Sequence, residues 1–394
     1  MTRQIAFASW ATGADLDRGV QQGTRVVGDL LTYGDGAGVR TYTDPHAEDA
    51  TRITYDWAIW ISPHVTTEFP FTSLIPSWNA RTPKGTWIDL EVRVSRDGIF
   101  MGPWYPLARW AEDDSEIHPT SVPGHVDDEA RVLTDVLQAA DGVSWNTYQL
   151  RVALMRHPDV AEGPTVSLVG AVVAGDPVPR PATSPPGPAR GVELAVPAYS
   201  QQLHRGVHPN QDTSGEAWCS PTSTSMVLSF WGQGPAPEEY AWVDAELADR
   251  FVPFAARRVF DHAYGGAGNW SFNTAYAARY ATTAFVTRLA DLTEAELFVA
   301  AGIPLVATVS FTQDELAGAG YDTDGHLLTI IGFDEAGDVI CNDPASHELA
   351  SNDEVRTVYD RAEFERIWLG CGGVAYVIRP PDVPLPTRPA SAHW

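Results

Sequence analysis

The sequence predicts a two-domain protein, with an all-β sandwich or jelly roll in residues 1–175 followed by an α+β domain in residues 194–380. The first observation behind this prediction is a proline-rich stretch, residues 176–193, with six prolines among residues 176–190. Proline fixes φ and removes a backbone donor, so this density favours an extended linker. The second observation is that the hydrophobic periodicity changes across the stretch. Another proline-rich segment, residues 381–394, is expected to form a tail.

Alternating apolar and polar residues mark the strands of the first half. The alternation is clearest in residues 57–61, 86–94 and 148–154, and clusters of Gly, Pro, Asp and Asn separate such segments. A period of two is typical of strands with one buried face. Eight of the 14 tryptophans lie in this half. We expect most of them to fill the interior of the β domain, and exposed rings that bind a sugar or another polymer are the alternative.

The second half mixes helical and strand patterns. Helices are predicted over three segments: residues 220–231, 273–280 and 294–301. The last of these follows Thr293, which is predicted to be its N-cap. Strands are predicted over four segments: residues 305–311, 326–333, 338–342 and 373–378. Because the helices come first and most strands follow, the order favours an α+β domain over a regular βαβ alternation.

The composition restricts the classes of partner. With 26 Lys and Arg residues against 51 Asp and Glu, the formal net charge is −25, so we expect no nucleic-acid partner. No apolar run is long enough to predict a membrane span. The first ten residues lack the long apolar segment of a signal peptide, so the default expectation is a cytoplasmic protein, or an extracellular one if a leader is missing. Three cysteines are too few for a disulfide framework.

Three residues of the second half have the types and positions that a thiol hydrolase requires. Cys219 begins the first predicted helix, where backbone N–H groups and the helix dipole stabilise a thiolate. Taken alone, a cysteine in such a position is more often an inert buried thiol. His326 begins an apolar strand and Asp343 follows the next strand, and only the short turn of residues 334–337 separates the two strands. Antiparallel pairing would bring an imidazole base and an orienting carboxylate together.

These residues stand in motifs that resemble the C39-like cysteine peptidase family, a branch of the papain-like peptidases. The resemblance covers about residues 194–380 and includes four motifs: Ser200-Gln201, Trp218-Cys219-Ser220-Pro221-Thr222, Gly325-His326-Leu327-Leu328 and Asn342-Asp343-Pro344. It implies that Cys219 is the nucleophile, His326 the base and Asp343 its orienter. It also implies a glutamine that donates to the oxyanion, for which Gln201 is the best match and its neighbour Gln202 the competitor. The β-rich first half resembles the accessory region of stand-alone members.

The expected function is hydrolysis of a peptide or related amide bond through a thioester acyl-enzyme. Two alternatives stay open: acyl transfer to an amine by the same triad, and a polymer- or carbohydrate-binding protein with an inactive hydrolase fold. The expected partner is a peptide or protein substrate, with contact to a polymer or glycan possible through the N-terminal domain. We expect no cofactor and no metal, since His204 and His208 are four residues apart but Gly206 interrupts them and no third ligand follows nearby.

Overall fold

A computed structural model describes residues 2–179, 182–207, 214–387 and 393–394. The chain divides into two compact units. The first, here called the β unit, comprises Ala6–Gly175 together with Phe260–Gly265. The second, here called the mixed unit, comprises the residues up to Ile5, Asp176–Val259 and Gly266–Trp394.

The β unit is built from two sheets. Its elements are β1 (Ile5–Trp10), α1 (Gly13–Leu16), β2 (Val20–Gln22), β3 (Thr24–Val27), β4 (Leu30–Tyr33), β5 (Gly38–Thr43), β6 (Arg52–Ile61), β7 (Val65–Phe71), β8 (Ser73–Arg81), β9 (Thr86–Ser95), β10 (Tyr105–Trp110), β11 (Thr120–Ser121), β12 (Ala130–Val132), β13 (Leu137–Ala139), β14 (Trp145–Arg156) and β15 (Thr165–Ala174). One sheet has the order β12-β13-β8-β15-β4-β3, and β1 also pairs with β15. The other has the order β11-β10-β9-β14-β6-β2, with β5 on β6 and β7 on β14. The predicted β-rich first half is confirmed, while the choice between sandwich and jelly roll stays a prediction.

Aromatic rings from the two sheets contact each other. Trp10 of β1 lies 5.5 Å from Trp60 of β6, and Trp78 of β8 lies 6.2 Å from Trp110 of β10, measured between ring centroids. Each pair joins a strand of one sheet to a strand of the other, so the shared core lies between the sheets. Edge-to-face contacts of this kind stabilise beyond the apolar area that they bury.

Most tryptophans of the β unit fill this core, as predicted. Six are buried: Trp10, Trp60, Trp78, Trp87, Trp110 and Trp145. The other two, Trp57 and Trp104, are half-buried, and arginine side chains lie over their rings. The guanidinium groups of Arg93 and Arg151 lie 4.6 and 4.3 Å from the Trp104 ring. These cation–π contacts use ring surface that a sugar would otherwise stack on.

The mixed unit combines helices with one sheet. Its elements are β16 (Val192–Glu193), α2 (Cys219–Phe230), α3 (Phe251–Arg258), α4 (Trp270–Ala278), β17 (Thr283–Arg288), α5 (Leu292–Ala300), β18 (Leu305–Phe311), β19 (Thr323–Phe333), β20 (Val339–Asn342), β21 (Arg356–Tyr359), α6 (Arg361–Gly370) and β22 (Val374–Arg379). The sheet has the order β17-β22-β18-β19-β20-β21, and β16 also pairs with β19. Its strand pairs are antiparallel. The predicted mixture of helices and strands is therefore confirmed for this half.

The predicted N-cap of α5 is wrong. The cap is Asp291, whose carboxylate accepts a hydrogen bond from the backbone N–H of Glu294 at 3.0 Å. Glu294 in turn accepts from the N–H of Ala290 at 2.7 Å, an arrangement close to a capping box. Thr293 lies inside the helix, and its hydroxyl donates to the carbonyl of Pro185 at 3.0 Å. The Asp-x-x-Glu spacing was therefore the better signal for the start of this helix.

Part of the proline-rich stretch packs into the mixed unit, although an extended spacer was predicted. Ser184 and Ala189 are buried. The N–H of Gly187 donates to the Glu296 carboxylate at 2.7 and 2.8 Å, and the Arg361 Nε donates to the Ser184 carbonyl at 2.8 Å. These charged side chains bond the backbone groups that proline leaves without secondary-structure partners. Residues 180–181 lie outside the described part of the chain.

The predicted proline-rich tail is described up to residue 387 and again at its last two residues. Trp394 is buried, and its ring lies 4.8 Å from that of Phe298 in α5. This part of the tail therefore belongs to the packed core. Across the described ranges, no helix combines the length and apolar character needed to cross a membrane.

Candidate active site

The helix α2 carries Cys219 as its first residue and is buried over most of its length. Cys219 itself is 9% exposed, and every residue from there to Leu228 is buried. Trp218 is the N-cap residue, and its side chain makes no capping bond. The side chain of Trp218 therefore does not occupy the first N–H groups of the helix. Those groups and the helix dipole favour negative charge at the position of the thiol.

Hydroxyl side chains fix α2 against the sheet. The Ser223 hydroxyl donates to the carbonyl of Leu327 in β19 at 3.1 Å, and the hydroxyls of Ser220 and Tyr376 lie 2.9 Å apart. A buried helix needs such partners because each unpaired hydroxyl would cost free energy on burial. Because Leu327 directly follows His326, the bond from Ser223 holds α2, which carries Cys219, beside β19, which carries His326.

The structure brings His326 and Asp343 together. β19 and β20 are antiparallel, with Thr329 opposite Asn342, so Asp343 leaves the sheet near the beginning of β19. The His326 Nε2 lies 2.8 Å from the Asp343 Oδ1. The two residues are 3% and 0% exposed. The bond occupies Nε2 and leaves Nδ1 as the other ring nitrogen.

Three further groups donate to the Asp343 carboxylate. They are the hydroxyls of Tyr321 and Tyr359 and the backbone N–H of Ala345. Sequence reasoning missed both tyrosines. The pairing of Val339 with Tyr359 across β20 and β21 brings Tyr359 to the site, and no local pattern near Tyr359 signals this long-range pairing.

The pKa values of the pair move in opposite directions. Burial alone would raise the pKa of Asp343, but the charge and hydrogen bond of His326 and the bonds from Tyr359 and Ala345 lower it. Burial alone would lower the pKa of His326, but the charge and hydrogen bond of Asp343, together with the interaction with Cys219, raise it to about 10. The pair therefore favours imidazolium beside carboxylate.

The two candidate oxyanion donors differ in their contacts. The backbone N–H of Gln201 donates to the Pro344 carbonyl at 2.9 Å, and its side-chain Nε2 donates to the Glu216 carbonyl at 2.6 Å. An amide nitrogen has two hydrogens, so one remains for another acceptor. Gln202 instead accepts from the Arg205 guanidinium at 2.9 Å. These contacts support Gln201, which is tied both to the Asp343 turn and to the residues just before Cys219.

The remaining cysteines and two histidines are not members of the candidate triad. Cys341 is fully buried in β20, and burial and the nearby Asp343 charge raise the pKa of its thiol. Burial also raises the pKa of Cys371. His204 is buried, which lowers its pKa to about 4 and keeps its ring neutral. His208 lies outside the described residues.

Comparison with known proteins gives two family matches. A family model described as the Peptidase C39 N-terminal domain matches residues 6–174, and one described as the Peptidase C39 like family matches residues 193–376. No curated protein matches. One similar solved structure is described as "Structural basis for the promiscuous specificity of the carbohydrate-binding modules from the beta-sandwich super family", with 13% identity and a TM-score of 0.17. That match covers 44% of this chain and spans 57% of the other.

Proposed function

The chain belongs to the peptidase C39-like family and is a cysteine peptidase-type enzyme, and from this premise we propose that it cleaves peptide or related amide bonds with a Cys219–His326–Asp343 triad. The observation that carries the proposal is the buried bond between His326 and Asp343 beside the start of α2. We further propose a papain-like arrangement for the mixed unit, in which a buried helix bears the nucleophile and an antiparallel sheet bears the base.

The first half of the reaction forms an acyl-enzyme. The Cys219 thiolate attacks the carbonyl carbon of the scissile bond, and the carbonyl oxygen becomes an oxyanion. The Cys219 backbone N–H and the remaining N–H of Gln201 donate to that oxygen. The imidazolium of His326 then protonates the leaving nitrogen, the C–N bond breaks, and the acyl group remains on the sulfur as a thioester.

The second half of the reaction releases the acyl group. Neutral His326 accepts a proton from water, and the resulting hydroxide attacks the thioester carbonyl. The C–S bond breaks, the carboxylic acid leaves, and the thiolate–imidazolium pair is restored. Asp343 keeps its negative charge throughout and holds the ring through Nε2, because its hydrogen-bond donors favour the carboxylate form.

Different features of the structure bear on the two alternative functions, acyl transfer and polymer binding by an inactive protein. Acyl transfer needs the same triad and an amine in place of water, so the residues described above serve both reactions. An inactive, polymer-binding protein is disfavoured because Cys219, His326 and Asp343 are all present and His326 is bonded to Asp343. Stacking of sugars is disfavoured at Trp104, where two guanidinium groups already lie over the ring.

Incubation of the protein with a mixed peptide library, read by mass spectrometry, tests the proposal. We expect new peptide termini with wild type and none with Cys219→Ala or His326→Ala. Addition of an ordinary amine acceptor such as glycinamide separates the two reactions: transfer would yield new amides as the main product, and hydrolysis yields free acids. Cleavage by Cys219→Ala at the wild-type rate would overturn the proposal. Cys341→Ala is the matched control, since this thiol is buried in β20 and is expected to leave cleavage unchanged.

A further inference from the structure

Two tyrosine hydroxyls converge on the Asp343 carboxylate. The Tyr321 hydroxyl lies 2.8 Å from Oδ2 and 3.1 Å from Oδ1, and the Tyr359 hydroxyl lies 2.7 Å from Oδ2. Oδ1 also accepts from His326 at 2.8 Å and from the N–H of Ala345 at 3.0 Å. Tyr321 therefore contacts both oxygens, whereas His326 and Ala345 bond Oδ1 and Tyr359 bonds Oδ2.

The tyrosines reach the carboxylate from two different segments. Tyr321 lies in the connection between β18 and β19, and Tyr359 is the last residue of β21. Both side chains are buried, and the Tyr321 ring also meets the His326 ring edge to face at 5.6 Å and 80°. Burial and the Asp343 charge raise the pKa of both phenols, so each stays protonated and can only donate to the carboxylate.

We propose that Tyr321 and Tyr359 are positioning residues for the triad, which keep Asp343 ionised, aim Oδ1 at His326 and moderate the basicity of the imidazole. The inference rests on the proposed function of the triad. Donors to a buried carboxylate stabilise its charged form, so Asp343 does not take up a proton. Each donor also draws negative charge away from Oδ1, which weakens its hold on the imidazolium proton. His326 can then release that proton to the leaving group.

The test replaces each tyrosine by phenylalanine, which keeps the ring and its contact with His326 and removes the hydroxyl. The measurement is the rate of Cys219 alkylation by iodoacetate from pH 5 to 11, read by peptide mass spectrometry. The imidazolium attracts this anionic reagent, so the rate falls where His326 loses its proton. Iodoacetamide, which is neutral, serves as the reference reagent.

In Tyr321→Phe and Tyr359→Phe we expect the upper pH limit of fast iodoacetate labelling to move upward by several tenths of a pH unit, up to about one. The reason is that a carboxylate with fewer donors holds the imidazolium more strongly. In the double variant Oδ2 loses both phenols, and we expect the limit to move upward further than in either single variant. Tyr276→Phe, a buried tyrosine of α4 in the same unit, is the control and should leave the limit unmoved.

An unchanged or lowered limit in both single variants would overturn the inference, even if their melting temperatures fall. The alkylation profile does not depend on cleavage. If the limit moves as expected but no peptide is cleaved, the proposed function fails and the role of the tyrosines stands. If peptides are cleaved and the limit does not move, the proposed function stands and the role of the tyrosines fails.

Discussion

Replacement of Asp343 by Asn tests how the buried carboxylate controls the imidazole. Asn has nearly the same shape, but it removes the charge and leaves the Tyr321 and Tyr359 hydroxyls without an anionic acceptor. The charge and hydrogen bond of Asp343 are the main causes that raise the pKa of His326 to about 10 against the effect of burial. Without them, burial, the largest cause, lowers the pKa, and only the smaller contribution of Cys219 opposes it, so we expect a pKa below the ordinary value of about 6.5.

The size of the effect follows from these two values. At pH 8 nearly all of the His326 rings in wild type carry a proton, since the pKa is about 10. With a pKa below about 6.5, fewer than about 3% of the rings do so. The population that can form a thiolate–imidazolium pair thus falls by at least about 30-fold. Loss of ring orientation adds to this, so we expect peptide cleavage to fall by about 10³- to 10⁴-fold.

An NMR titration of protein labelled with ¹⁵N in its histidines measures the predicted change directly. His326→Ala assigns the signals, and peptide cleavage is followed in parallel. We expect the His326 ring to be protonated at pH 8 in wild type and neutral in Asp343→Asn. A ring that stays protonated at pH 8 in the Asn variant, or cleavage within tenfold of wild type, would refute the reasoning. A melting curve checks that the variant is folded.

Three further predictions concern stability and the oxyanion. Because the pKa of His326 is raised to about 10 from about 6.5 in the unfolded chain, its stabilisation is fully present below pH 6.5 and is lost as the pH rises through 10. The difference in unfolding free energy between wild type and His326→Ala, measured in urea, should therefore shrink between pH 8 and 10.5, and a constant difference contradicts this. Gln201→Ala should lower kcat by about 10²- to 10³-fold, because it removes an oxyanion donor. The Gln202 side chain already binds Arg205, so Gln202→Ala should change kcat less than about threefold. Equal losses of kcat in steady-state assays would count against the assignment of Gln201. Asp291→Ala should cost about 1 kcal/mol of unfolding free energy and Thr293→Val less, and the reverse order would restore Thr293 as the cap.

The candidate triad could be predicted because each member stands at a point that local sequence marks. Cys219 begins α2, and His326 and Asp343 flank two apolar strands joined by a short turn. Antiparallel pairing of neighbouring strands needs no long-range information. The chemistry of the three side chains then supplied the hypothesis of a thiol hydrolase.

The groups that sequence reasoning missed depend on long-range packing. Tyr359 reaches Asp343 through the pairing of β21 with β20, and Tyr321 does so from a connection without regular structure. The packing of the proline-rich stretch depends on Glu296 and Arg361, which lie on two helices far away in the sequence. The α5 cap is a different case, because both Asp291 and Thr293 are good cap residues and only the spacing to Glu294 separates them.

The measurement that tests the central claim most directly is the rate of Cys219 alkylation by iodoacetamide at pH 6, in wild type and in His326→Ala. Cys341 and Cys371 serve as references in the same sample, since burial raises the pKa of both thiols. At this pH an ordinary thiol, with a pKa of about 8.5, is almost wholly protonated and reacts slowly. A thiolate paired with the His326 imidazolium reacts fast, so we expect Cys219 to be labelled far ahead of the other two in wild type and to lose that advantage in His326→Ala. Labelling of Cys219 no faster than Cys371, or equally fast without His326, would contradict the account.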